Sequence, residues 1–210
     1  MIVATTTLRA DEVRYDRTAS VATARGNVVI VDHGEGYHTL FAHLGSMRTA
    51  MGEEVDAGDV LGYGMRGGRV YIKGDVGYRV GIHMKAYEKL VPILVCGGKA
   101  RDFFGEYMAG GMLVLLGMNA RDAAQPIAGG FLGAGMHGGV MYVRGTVEPW
   151  QCGAEVGITE ASEEDMAELR PVIEDYAQAM GMDAAEILSV PFTRIAPMSH
   201  RPYAKLYASM

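Results

Sequence analysis

Between residues 62 and 145 a single glycine frame recurs, and it restricts the backbone more than any other feature of the chain. Four times the sequence runs G-x-x-M: Gly62 to Met65, Gly81 to Met84, Gly105 to Met108 and Gly133 to Met136, at steps of 19, 24 and 28 residues. Three copies continue as M-x-G-G, five residues and a further glycine, in "MRGGRVYIKG", "MAGGMLVLLG" and "MHGGVMYVRG". The doublets are Gly67-Gly68, Gly110-Gly111 and Gly138-Gly139. The second copy diverges into "MKAYEKLVPILVCGG", which still reaches an apolar run. The chain holds 29 glycines, about twice the average share of ~7%, in a sequence that is 49% hydrophobic. Glycine at that density in an apolar chain marks obligatory turns rather than a flexible segment.

Aligned on the frame, Val70, Leu113 and Met141 share one slot, and Ile72, Leu115 and Val143 share the next but one. A period of two places them on the inward face of a strand. Arg69, Tyr71, Lys73, Tyr142 and Arg144 then face outward, whereas the middle copy carries Met112, Val114 and Leu116 there. An apolar outward face predicts a cover, from this chain or from a partner. About 20 residues per step without a helical pattern suit one coil of a solenoid. The expectation is therefore a mainly β chain: a right-handed parallel β-helix over 62–158, with loops such as "NARDAAQP" (119–126) inserted at one corner.

The flanks read differently. Residues 1–61 alternate in short runs with Gly/Asp turns, which favours β-hairpins; residues 26–61 are expected to cap or extend the open end of the stack. In 159–210, Met166, Leu169, Ile173, Tyr176 and Met180 recur at helical steps, behind Ser162 as N-cap and ahead of Gly181 as stop. Pro171 predicts a kink or split. "DAAEILS" predicts a second short helix capped by Asp183. The long helix is expected to pack on the flank of the solenoid, and the proline-bearing tail "PFTRIAPMSHRPYAKLYASM" to dock in extended form.

Composition removes several function classes. A formal net charge of −6 argues against a nucleic-acid footprint. No apolar run reaches the length of a membrane span and no signal peptide is visible, so a cytoplasmic protein is expected. Cys96 and Cys152 are isolated, without metal or iron–sulfur spacing, and are expected to remain reduced thiols. "GYGMRG" (62–67) and "GAGMHG" (133–138) match the dinucleotide fingerprint G-x-G-x-x-G. That motif requires a helix behind it to hold the pyrophosphate; a strand is expected behind both copies, so the glycines are read as structural.

From about Gly62 to Tyr207 the chain resembles the C-terminal domain of the glutamate synthase large subunit, and most closely its stand-alone form. The likeness rests on "GYGMRGGRVYIKGDVGYRVGIHMKAYEK", "GGKARDFFGEYMAGGMLVLLG", "GAGMHGGVMYVRG" and "PFTRIAPMSHRPYAKLYA". The resemblance implies a right-handed β-helix with a structural, non-catalytic role. Its partners would be the flavin, iron–sulfur and glutaminase parts of an oxidoreductase complex of nitrogen metabolism. A β-helix subunit of formylmethanofuran dehydrogenase looks similar at the level of the glycine frame. The first third departs from this pattern and reads as a mosaic. "LRADEVRYDRTASVATARGNV" looks like a repeat of the periplasmic lipopolysaccharide-transport jellyroll proteins. "GNVVIVDHGEGYHTLFAHLGSMRTAMGEEVDAGDVLGYG" looks like the core of lysostaphin-type zinc endopeptidases.

The second likeness makes His43 the one candidate catalytic residue, at the position that assists the zinc-bound water in such enzymes. Metal chemistry needs about three protein ligands and an open position. No histidine precedes residue 33, and His83 in "GIHMKAY" stands alone where H-x-H is required. No metal or other cofactor is therefore expected, and His83, His137 and His200 are read as corner or surface histidines. Arg66, Lys85, Lys99 and Arg101, with His200 and Arg201, form either a basic edge for an acidic partner or an ordinary solvated face. The leading expectation is a scaffold of glutamate synthase type, with a zinc endopeptidase, a β-helix subunit of formylmethanofuran dehydrogenase type, and a free-standing or designed solenoid without activity as alternatives. Self-association is left open.

Overall fold

The computed structural model describes residues 59–118 and 126–199 in full, and of the chain before residue 59 the backbone of five strands. The chain divides into two compact units, Met1–Val55 and Asp56–Met210. In the first, β1 (Thr5–Leu8), β4 (Val28–Asp32) and β5 (His38–Ala42) form an antiparallel sheet in the order β1-β4-β5, and β2 (Glu12–Asp16) pairs antiparallel with β3 (Val21–Arg25). The capping role expected for 26–61 and the loop expected at 119–126 involve residues outside the described ones.

In the second unit, β6 (Arg69–Ile72), β7 (Ile93–Cys96), β8 (Ala109–Leu115) and β9 (Gly138–Arg144) lie side by side and parallel. Their register joins Val70, Leu94, Leu113 and Met141 in one row and Ile72, Cys96, Leu115 and Val143 in the next but one, the two inward slots of the sequence frame. A strand follows both G-x-G-x-x-G stretches, so neither opens a helix.

Between strands the glycine frame folds into a corner of two consecutive turns. In the third corner, Glu106 N–H donates to the Phe103 carbonyl and Met108 N–H to that of Gly105. φ is positive at Phe103, Gly105 and Tyr107. Positive φ at the third residue of each turn is the type II pattern. The same triplets recur at Val60-Gly62-Gly64, Arg79-Gly81-His83 and Phe131-Gly133-Gly135. Alternate amides then point out of the rung in alternate directions. Phe103 and Tyr107 donate to Gly130 and Ala134 of the next corner, and Gly105 and Ala109 to Val80 and Met84 of the one before, at 2.8–2.9 Å. The central glycine has a second constraint: a Cβ on Gly81 would lie 2.6 Å from Leu113 Cδ1, on the strand of the next rung. Met84, Met108 and Met136 are wholly buried inside the corners, while Met65 in the first corner is half-buried.

A fifth corner, Gly153 to Val156, carries valine in the methionine slot, with Gly153 N–H bonded to the Leu132 carbonyl at 2.8 Å. From it leaves β10 (Val156–Glu160). Here the expected all-parallel stack gives way to a six-stranded mixed sheet, in the order β10-β11-β9-β8-β7-β6. The tail strand β11 (Phe192–Pro197) inserts between β9 and β10, antiparallel to both. Its amides satisfy the β9 edge that β10 would otherwise have joined, so the parallel run stops at four strands.

Helix α1 (Glu163–Met180) covers the outward face of the sheet, as the apolar slots required. Ser162 Oγ accepts from Asp165 N–H at 3.1 Å while the Asp165 carboxylate accepts from Ser162 N–H at 2.9 Å, a reciprocal cap. Gly181, at φ 66°, ends it. Pro171 does not split the helix. Packing on both sides of it, through Leu169, Val172, Ile173 and Tyr176 against Val95, Met112, Val114, Leu116 and Tyr142, holds the backbone in one piece. Each of those four helix side chains contributes roughly 2 kcal/mol on burial. The short helix α2 (Ala184–Leu188), capped by Asp183, adds Ile187 to the same core. No helix among the described residues is long and apolar enough to cross a membrane.

The two constraints on the corner glycines separate by mutation. Gly64, at φ 61°, has open space where a Cβ would stand, whereas Gly81 has Leu113 there. Gly64→Ala should cost about 1 kcal/mol from backbone strain alone, and Gly81→Ala about 3 kcal/mol from strain plus overpacking. Urea unfolding followed by circular dichroism reads the difference; equal losses would show that the Leu113 contact contributes nothing.

Candidate functional site

The polar side chains of the second unit fall into three groups. The first lies along the corners. Stacked rungs place equivalent positions about 4.8 Å apart, so rings at one slot meet their counterparts. Phe103 stacks on Phe131 at 4.9 Å between centroids, and His83 on Tyr107 at 5.3 Å, with Tyr63 edge-on to His83 at 5.8 Å. The Arg79 guanidinium sits 4.5 Å over Phe103 and pairs with the buried Glu106, and that of Arg101 lies 5.5 Å over Tyr78. Carboxylates near the corners bond to the next rung: Asp59 accepts from Tyr78 N–H, Asp75 from Lys99 N–H and Asp102 from Gly130 N–H, at 2.7–2.8 Å. Each replaces or supplements a rung-to-rung backbone bond.

The second group fastens α1. The Asp175 carboxylate accepts from Tyr71 Oη at 2.8 Å and pairs with Arg69, and Tyr176 Oη donates to the Ile72 carbonyl at 3.2 Å. Burial alone would raise the Asp175 pKa, but the Tyr71 hydroxyl and the Arg69 guanidinium outweigh it and hold the carboxyl below its usual range. Tyr71 is pushed up to about 12, first by burial and then by its bond to Asp175.

The third group surrounds the start of α1, where Asp165 accepts from Tyr142 Oη at 2.9 Å and from Arg194 Nε at 3.0 Å. Burial acts to raise Asp165, but Ser162, Tyr142 and Arg194 together lower it. Val140, Thr159, Glu160, Glu164 and Glu168 complete a shallow open depression around this network. Its bonds cap α1 through Ser162 and tie it to β9 through Tyr142 and to β11 through Arg194, which is a structural role.

The sequence candidates disperse. Arg66 donates to the His83 carbonyl at 3.0 Å, and Lys85 N–H bonds the Met65 carbonyl, so both stand at the corner ahead of the strands. Lys99 follows β7, and Arg101, its guanidinium over Tyr78, stands two residues ahead of Phe103 at the entry to the third corner. The four therefore flank the corners, Arg66 and Lys85 behind the turns and Lys99 and Arg101 ahead of them. His137 Nδ1 lies 3.2 Å from the Gly135 carbonyl, the backbone contact expected of a corner histidine, while His83 is engaged by rings. His43, His200 and Arg201 lie outside the described residues, and so does the peptidase site that His43 would serve. Among the described residues no three of His, Cys, Asp and Glu are grouped to hold a metal ion. Burial raises the thiol pKa of both cysteines, Cys152 to about 11 and the wholly buried Cys96 further, the opposite of an activated nucleophile.

The ring columns were not found by sequence reasoning. Their signal was present: two residues ahead of the frame glycine stand Val60, Arg79, Phe103 and Phe131, and two behind it His83 and Tyr107. The fifth corner was missed because valine replaces methionine in it. The Tyr71–Asp175 link, across 104 residues, has no local signal.

Two measurements follow from these environments. Asp175 contributes stability above the unfolded carboxyl pKa of about 4, which is lost as pH falls through its lower folded value. Asp175→Asn should cost about 1–2 kcal/mol at pH 7 and flatten the acid limb of a stability–pH profile below about pH 4; an unchanged profile would remove Asp175 from the latch. For the thiols, a chromogenic disulfide reagent at pH 8 should label Cys152 slowly and Cys96 only on unfolding; rapid native labelling of Cys96 would contradict its burial.

Comparison with known proteins agrees with the corner geometry. The family described as the GXGXG motif matches residues 40–198, a span found in glutamate synthase C-terminal domains. The match begins ahead of Gly62, within the stretch that sequence reading set apart from the repeat. An uncharacterized protein of Methanocaldococcus jannaschii is 43% identical over 137 residues, which is 63% of this chain and 52% of that protein. The chain thus spans about half the length of the relative it matches. With the recurring positive-φ corners and the matched span together, the chain belongs to the GXGXG-motif family.

Proposed function

We propose that this chain is a non-catalytic scaffold of glutamate synthase type, wound as a right-handed β-helix. It would hold in place the flavin, iron–sulfur and glutaminase parts that form glutamate from glutamine. The observation that carries the reading is how the rungs are filled. Leu94, Leu113, Met108, Met136 and Met141 are wholly buried between the strands and the corners, so apolar side chains fill the interior between these rungs. Corner carboxylates and alternate corner amides are bound rung to rung. Such a body is rigid and presents a surface, which is what a positioning subunit requires. Right-handed winding is supported by the strong preference of parallel crossovers for that hand. Two thiols without a mutual bond suit the reducing cytoplasm, the proposed location.

The zinc endopeptidase reading is favoured by no observation among the described residues. The scaffold reading is tested by mixing the full chain with a purified flavin-containing glutamate synthase subunit and weighing the product by light scattering after gel filtration. A defined complex is expected, with glutamine-dependent glutamate formation higher in the complex than in the subunit alone. Absence of a complex at micromolar concentration, or glutaminase turnover by the isolated chain, would overturn it.

A further inference from the structure

Among the described residues ten large apolar side chains are exposed. Six of them lie on or just ahead of the corners: Val60, Tyr63, Tyr107 and Phe131 in the turns, Tyr78 one residue before the second corner, and Trp150 in the short 3-10 turn Pro149–Gln151 that leads into the fifth. Of the remaining four, Tyr87, Leu90 and Val91 lie together in the connection ahead of β7 and Met198 stands in the tail, so the larger share of the exposed apolar surface follows the corners. Exposed aromatic side chains gathered in this way mark contact surfaces rather than ordinary exterior.

Backbone strain points the same way. Val60, Phe103, Phe131, His83 and Tyr107 hold positive φ, where a side chain costs about 1–2 kcal/mol per residue relative to glycine. The fold itself accepts glycine at such a slot, as Gly64 and Gly135 show. The bulky residues are thus not required for turning the chain, and their presence at a strained position calls for a use of the side chain. Stacking accounts for part of it, since His83–Tyr107 and Phe103–Phe131 rigidify the row. The outer edges of these rings remain exposed.

Charge then selects the occupant. The corner carboxylates are engaged, Asp59 and Asp102 by backbone amides, Glu155 by Gly135 N–H and Glu106 by Arg79. Among the cations, Arg101 lies over Tyr78, Arg79 over Phe103, and Arg66 is held by the His83 carbonyl. On a chain of net charge −6, guanidinium groups without a carboxylate partner among the described residues, as at Arg66 and Arg101, favour a carboxylate-bearing surface. Guanidinium groups already ordered on rings offer their remaining N–H donors to carboxylates with little further ordering cost.

We propose that the corner row is the docking face for a protein partner whose contacting surface carries carboxylates beside apolar side chains, with Tyr63, Tyr107, Phe131 and Trp150 as anchors and Arg66 and Arg101 as charge-selecting groups. The inference rests on the scaffold reading and specifies which face does the work.

The test uses the full chain and the purified flavin-containing subunit as probe, with affinity measured by titration calorimetry at low and high salt. Three variants address the row: Arg66→Glu with Arg101→Glu, Tyr63→Ser with Phe131→Ser, and Trp150→Ser, at a side chain 72% exposed, with circular dichroism checking that each variant is folded. Tyr87→Ser with Val91→Ser removes comparable exposed apolar surface away from the corners. The row variants should each weaken binding roughly tenfold or more, and the control less than about twofold. The arginine pair should also lose most of the salt dependence. Binding of all row variants at wild-type strength would overturn the proposal while leaving the scaffold reading intact. Failure of the wild-type chain to bind the subunit would remove both. Two results on the isolated chain would also overturn it: a dimer that the row variants dissociate, which assigns the face to a second copy, or protection of Tyr63 and Tyr107 from nitration in the monomer, which assigns it to the chain's own remaining residues.

Discussion

The structure depends on how a backbone distributes its amides when every second residue at a corner takes positive φ. In an ordinary helix or strand, neighbouring peptide units follow one rule, and donors point along one axis or to two flanks. At Phe103, Gly105 and Tyr107 the alternation sends successive odd-numbered donors to the rung ahead and the rung behind, while the even ones, Glu106 and Met108, close two type II turns. A corner of this kind is bonded on both sides at once. It can be stacked, but it cannot be left single without exposing amides and carbonyls on both faces. That accounts for recurrence: the motif is useful only as a series.

Once corners stack, the rest of the second unit is a matter of covering. The inward rows through Leu94, Leu113 and Met141 bury against the corner methionines, and the central glycines admit the neighbouring rung's side chains where a Cβ would collide. The outward rows bury beneath α1, whose attachment combines apolar contact with Tyr71–Asp175 and Tyr142–Asp165–Arg194. The tail strand closes the β9 edge, so no fifth parallel strand joins there. An exposed strand edge invites association with other chains; inserting β11 covers the β9 edge and leaves the five-residue β10 as the outer strand at that end of the sheet.

Chemistry is correspondingly scarce among the described residues. Of the titratable groups with altered acidity, Asp165, Asp175, Tyr71 and Tyr142 serve the seam between helix and sheet, and the two thiols are shifted by burial alone. Perturbed acidity often marks active sites, yet ion-pair networks that hold a fold together produce it as well. Here each of the four seam groups has its structural partner in view. What distinguishes the outer surface is the ring-and-guanidinium row, an arrangement suited to recognition.

The sequence alone determined the period, the inward slots, the two helices with their caps at Ser162, Asp183 and Gly181, and the strands behind both dinucleotide-like glycine runs. These are local facts: a turn demands positive φ within four residues, a cap acts within three, and a pleat alternates every two. Tertiary structure alone decided that β11 returns between β9 and β10, that Pro171 leaves α1 whole, and that Arg66 and Lys85 stand behind the corner turns with Lys99 and Arg101 ahead of them. It alone aligned Tyr63, His83 and Tyr107 into a column. Each of those outcomes depends on contacts between residues far apart in the chain, whose free energy exists only once the rungs are stacked, and no short stretch of sequence contains it.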